Sequence, residues 1–174
     1  MVIKKYILTC AILNICFSQN WIQNQRMEKQ FKEAVSSYNS GRYATSEIIL
    51  NKIIDSGYES FNENSLLLLL KSQVALNKTE KAKQTAKNFF SKHARSPFLN
   101  HAMESLGDLF VNNSIYESAY RMYVRSKNLS NESSYKAKIN SKLLMLIKIN
   151  LSSNFIDELL IMETDPSSTN IHFL

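Results

Sequence analysis

His101, Glu104 and Asp108 stand at i, i+3 and i+7 in the segment HAMESLGDLF, a spacing that places an imidazole and two carboxylates on one helical face. Such a face could in principle hold a metal. The other histidines, His93 and His172, supply no HExxH-type spacing, and the chain has neither a glycine-rich phosphate loop nor a nucleophile elbow. A polar stripe turned to solvent explains the three residues more simply. No catalytic residue, metal or cofactor is therefore expected, and the chain reads as a non-enzyme.

Thiol chemistry is limited by position. Both cysteines, Cys10 and Cys16, fall in the opening MVIKKYILTCAILNICFS. There Lys4 and Lys5 precede an apolar run from Tyr6 to Phe17, broken only by Thr9 and Asn14 and followed by the small Ser18. A basic start, a short apolar stretch and a small residue predict a secretory signal peptide over 1–18, too short to span a bilayer comfortably. The mature chain then has no thiol for a disulfide, a zinc site or a nucleophile. Leu13 stands three residues before Cys16 as in a lipobox, but Ile15 occupies the place of a small residue, so lipidation at Cys16 is the disfavoured reading. The expected location is outside the cytoplasm: periplasmic, with association to the outer membrane as the variant.

The elements that position these residues are predicted to be helices. The 174 residues are 44% hydrophobic and 21% charged, an ordinary folded composition, and three Gly and two Pro are too few for the turns of a β-rich fold. Formal net charge is +6. Part of the excess is concentrated at Lys81, Lys83, Lys87 and Lys92. A basic helix can contact phosphates, but an exported protein rarely meets nucleic acid; the expectation is a solvated face capable of peripheral contact with an anionic membrane surface.

An internal repeat organises the chain. Met103-x2-Leu106-Gly107-x2-Phe110 is followed by Ala119-x3-Tyr123, with Gly107 and Ala119 read as the small residues at a helix crossing. Ser96-Pro97 is read as N-cap and first helical residue, Asn112-Asn113-Ser114 as the turn, and Ser114-x-x-Glu117 as a capping box. Tyr116, Tyr120 and Tyr123 read as packing between helices. Upstream, Phe31-x2-Ala34-Val35-x2-Tyr38 leads through Gly41-Arg42-Tyr43 to Ser46 and Leu50. Between these copies, Leu66-x2-Leu69-Leu70-x2-Gln73 leads through Asn77-Lys78-Thr79 to Ala82-x3-Ala86. The small anchors Ser46, Ala82 and Ala119 lie 36 and 37 residues apart. The stretches 55–65 and 128–134 read as linkers. A last helix carries Ile139, Leu143, Leu146 and Ile147 on one side, and a partner helix is expected over 155–162 without a small anchor. The fold expected is all-α, an α-solenoid of antiparallel helix pairs within 21–163. It has repeats at about 27–56, 64–95 and 97–127, a degenerate fourth at 133–163, and a polar tail or truncation point at 164–174.

With the leader, Phe-x-x-Ala-x-x-x-Tyr-x-x-Gly-x-Tyr at 31–43, Arg95-Ser96-Pro97 and Leu-Gly-Asp-Leu-Phe at 106–110, the chain resembles tetratricopeptide-repeat (TPR) proteins of the bacterial cell envelope. It is similar in style to the TPR lipoprotein of the outer-membrane β-barrel assembly machinery and to the periplasmic TPR partner of Tol-Pal. The resemblance covers 27 to about 127 and departs from the family in lacking a good lipobox and in its ragged fourth unit. It implies a non-catalytic scaffold that binds an envelope protein or peptide on a concave face lined by first helices, in outer-membrane assembly or cell-wall organisation. The groove positions it implies are Val35 and Asn39, then Leu67, Lys71 and Ala75, then His101, Glu104, Asp108 and Asn112. The alternative is the N-terminal module of a larger exported protein, solute-binding or peptidoglycan-regulating.

Overall fold

The computed structural model describes the backbone of residues 2–149 and 151–157, with the side chains of 21–148 and 151–157. It contains α1 (Val2–Asn39), α2 (Tyr43–Asp55), α3 (Asn62–Ala75), α4 (Thr79–Lys92), α5 (Leu99–Asn112), α6 (Tyr116–Leu129) and α7 (Ser133–Ile149), with a single 3-10 turn at Glu59–Phe61. No strand occurs among the described residues, so the chain is all-α as its composition required. The residues read as a leader lie within α1. No helix among the described residues is long and apolar enough to cross a membrane. The chain divides into two compact units, one ending at Leu76 and one starting at Asn77.

Three helix ends share one backbone solution. α1, α3 and α5 each hand over to the next helix through three residues, the middle one with positive φ: Gly41 at 74°, Asn77 at 51° and Ser114 at 60°. After α1, the Gly41 N–H donates to Tyr38 O at 2.9 Å and the Arg42 N–H to Ser37 O at 2.9 Å. After α5, the Ser114 N–H donates to Val111 O at 2.9 Å and the Ile115 N–H to Phe110 O at 2.8 Å. These are the paired bonds of a Schellman cap, which satisfies the last carbonyls of a helix and needs a left-handed residue. The residue that follows, Arg42, Lys78 or Ile115, has φ/ψ of −84°/59°, −84°/71° or −98°/66°. The fourth residue of each following helix, Ser46, Ala82 or Ala119, is fully buried. α4 and α6 also carry a glutamate in the first turn and a lysine in the last, matching the helix dipole.

Several boundaries differ from the expectation, each for a local reason. Ser114 does not cap α6; it is the left-handed residue itself, and Ile115 holds the N-cap position without a side-chain bond. α5 starts at Leu99 rather than Pro97, because Ser96 Oγ accepts the Phe98 N–H at 2.9 Å and folds the preceding residues into a turn. The stretch 55–65 is largely ordered into the 3-10 turn and the start of α3, and 128–134 shrinks to three residues between α6 and α7. Ile147 is 37% exposed, whereas Ile139, Leu143 and Leu146 are buried. Of the partner helix expected over 155–162, residues 153–157 are helical and the rest lies outside the described residues.

Each unit has its own core. In the first, Ala34 of α1, Leu50 of α2 and Leu69 of α3 form one cluster, and the Ser46 and Ser72 hydroxyls meet at 3.3 Å. The apolar run 66–70 supplies the buried Leu66, Leu67, Leu69 and Leu70. In the second, Ala119 and Tyr123 of α6 join Tyr135, Ile139, Leu143 and Leu146 of α7, with Phe110 and Val111 of α5 packed against them.

The close approach at Gly107 is made to Tyr123, one turn beyond the Ala119 contact expected from the sequence. A Cβ at Gly107 would lie 2.6 Å from Cδ1 and 3.1 Å from Cζ of that ring. Tyr123 cannot swing aside freely, because its hydroxyl donates to Asp108 Oδ1 at 2.6 Å.

Two stability changes of opposite sign follow. Gly107→Ala gains helix propensity of about 1 kcal/mol but overpacks against a tethered ring at about 1–3 kcal/mol, so a net loss is expected in urea unfolding. Ser114→Gly removes left-handed strain of about 1–2 kcal/mol against a glycine entropy cost of about 0.5–1 kcal/mol, so its unfolding midpoint should rise. A fall for Ser114→Gly would contradict the turn geometry.

Candidate functional site

On α5, helical spacing brings Asn100, Glu104 and Asp108 to one side, where α7 places Tyr135, Lys138 and Lys142. Glu104 is buried at 5% exposure. Its Oε1 lies 2.6 Å from Lys138 Nζ and 2.8 Å from Lys142 Nζ, while Lys142 Nζ also reaches Asp108 Oδ1 at 2.6 Å. The Tyr135 hydroxyl lies 3.1 Å from Glu104 Oε2, 3.1 Å from Asn100 O and 2.7 Å from Ser126 Oγ. Ser126, on α6, donates to Asn100 O at 2.9 Å. Lys142 sits 5.1 Å from the centre of the Tyr123 ring, and His101 meets the Tyr135 ring edge-on at 5.0 Å.

Two carboxylates and two ammonium groups thus close a charge-balanced clamp across α5 and α7, with tyrosines from α6 and α7 around it. Burial works against the Glu104 charge, but hydrogen bonds and attraction from Lys138 and Lys142 outweigh it and hold the pKa at about 2. Burial first, and then the neighbouring carboxylates, push the Tyr123 hydroxyl upward. Burial also raises Tyr135, with Glu104 adding to the effect. For Lys142, burial favours the neutral form, but Asp108 and Glu104 prevail and raise its pKa. All four groups keep one protonation state through the neutral range.

The nine positions implied by the resemblance are placed differently from one another. Asn39, Ala75 and Asn112 are exposed and are the last residues of α1, α3 and α5. Val35, Lys71 and His101 are half-buried, and Leu67 is buried in α3. Glu104 and Asp108 are not part of a solvated stripe: lysines of α7 engage both. Among the described residues no group of three His, Cys, Asp or Glu is arranged for a metal.

Lys138, Lys142 and Tyr135 were missed from sequence, although a signal was present. His101, Glu104 and Asp108 are each matched 34 residues later, by Tyr135, Lys138 and Lys142 respectively, and each pair is in contact. The offset of 34 residues is the distance from the start of α5 at Leu99 to the start of α7 at Ser133, so equivalent positions of the two helices carry opposite charges. No family model, no curated protein and no solved structure matches the chain.

Glu104→Gln should cost about 2–3 kcal/mol, since it removes a buried charge and leaves lysines partly unpaired. The depressed Glu104 pKa gives stability that is present above 4.5 and is lost as pH falls toward about 2. Acid unfolding of wild type should therefore be steeper in that window than that of Glu104→Gln. Equal pH dependence would mean that Glu104 is not held ionised by the clamp.

Proposed function

We propose that the chain is a non-catalytic helical-repeat module of the tetratricopeptide type that binds a partner protein or peptide in the bacterial envelope. The observation that carries this reading is the repeated hand-over: the left-handed residue recurs at 41, 77 and 114, each five residues before a buried small residue. A recurring turn with a recurring anchor is how a stacked helical repeat keeps its register. The helix after a pair covers both members, which supports the same reading. α3 packs on α2 and α1 in the first unit, and α7 packs on α6 while clamping α5 in the second.

In this reading the first helices of the pairs present the binding face. In the first unit the exposed Asn39 and Ala75 are its accessible positions, with Lys71 half-buried; in the second they are the exposed Asn112 and the half-buried His101, on the helix that also carries Glu104 and Asp108. Export rests on the basic-then-apolar start of the chain. The partner is an envelope protein, with outer-membrane assembly or cell-wall organisation as the setting.

Photo-crosslinkers placed singly at Asn39, Ala75 and Asn112 should capture the same protein from envelope fractions, while the exposed controls Lys52 and Lys81 capture none of it. Three unrelated capture patterns, or equal capture from the controls, would contradict binding through the first helices. A second domain is the alternative, and a reading frame continuing past Leu174 into a further domain would favour it.

A further inference from the structure

The second unit carries a groove separate from the α5–α7 clamp. Between α4 and α5 lies an open cavity of about 580 Å³ with Ala86, Phe90, Leu106 and Phe110 among its apolar lining and two lysines, Lys83 and Lys87, against one acid, Glu80, among its charged lining. Lys83 and Lys87 are one helical turn apart and share a face of α4 with Glu80, which leaves that face one positive charge in excess. Lys87 is exposed, and the Lys83 side chain is 42% exposed even though it pairs with Glu80 at 3.1 Å. α4 as a whole carries Lys81, Lys83, Lys87 and Lys92 against the single acid Glu80.

We propose that this groove binds one molecule of a monomeric single-chain fatty carboxylate, its alkyl chain on the Phe90–Leu106–Phe110 floor and its head group on Lys83 and Lys87. Three features lead to this occupant. The volume falls in the small-ligand range of roughly 300–1,000 Å³, whereas a docked helix needs a groove several turns long to seat its i, i+4 and i+7 anchors. The floor is aromatic and aliphatic, which suits a hydrocarbon chain. The excess positive charge complements an anionic head and rejects a cationic one. This site goes beyond the proposed partner-binding face, since its lining includes none of the nine groove positions.

Calorimetric titration of the full chain with dodecanoate, kept below its micelle concentration, tests the assignment. Saturable one-to-one binding is expected. Lys83→Glu combined with Lys87→Glu should weaken it by about tenfold or more, and Phe90→Gln should weaken it independently. Dodecyltrimethylammonium, with the same chain and the opposite charge, should not saturate. Circular dichroism checks that each variant is folded; both lysines are surface residues, so the double variant decides the matter if Phe90→Gln unfolds. Non-saturating dodecanoate, wild-type affinity in the folded double variant, or equal affinity for the cationic amphiphile would each overturn the proposal. A ligand-free dimer by sedimentation that Phe90→Gln disperses, with no saturable dodecanoate binding, would assign the groove to a second copy and overturn it as well.

Discussion

A helix that passes its chain to the next within three residues must turn the backbone while satisfying its last carbonyls, a constraint that a left-handed residue meets. Here the constraint is met at Gly41, Asn77 and Ser114, and much of the fold is set by where those residues stand. The following helix starts two residues on, its fourth residue turns inward, and that residue must be small. Ser46, Ala82 and Ala119 satisfy this requirement with essentially no exposed surface. The larger side chains one turn later, Leu50 and Tyr123, then fill the space that the small residues leave, which is why a methyl group at Gly107 would collide with Tyr123.

Much of this was legible in the chain before any coordinates. Small residues at 46, 82 and 119 and scarce glycine and proline are enough to indicate paired helices, since apolar spacing and helix-crossing size are local properties. The turn chemistry was read less well. Ser114 looks like an N-cap because serine followed three residues later by glutamate is the usual capping pattern, yet the α5 carbonyls take precedence and the same serine adopts positive φ. Glu104 and Asp108 were read as solvated because one helix viewed alone puts them on a polar stripe. Only the docking of α7 reveals Lys138 and Lys142 opposite them, a long-range fact that single-helix periodicity cannot contain.

The clamp and the groove show two ways of using charge on a helical scaffold. In the clamp, opposite charges neutralise one another around the buried Glu104, where an unpaired carboxylate would be costly. Attraction to Lys138 and Lys142 keeps Glu104 ionised despite its burial. On α4 the lysines outnumber the single Glu80, and Lys83 and Lys87 line an apolar groove. The first arrangement ties α7 to α5. The second is the surface proposed for recognition, as are the exposed helix ends at Asn39, Ala75 and Asn112.

The central claim is that three hand-overs share one geometry, and it is most directly tested by the backbone φ of residues 41, 77 and 114 in solution. Positive φ gives a strong intraresidue amide-to-Hα Overhauser contact at Asn77 and Ser114, with matching contacts for Gly41. The account predicts that pattern at all three positions, flanked by helical shifts that stop at residues 39, 75 and 112 and resume at 43, 79 and 116. Helical φ at Asn77 or Ser114, running one helix into the next, would contradict it.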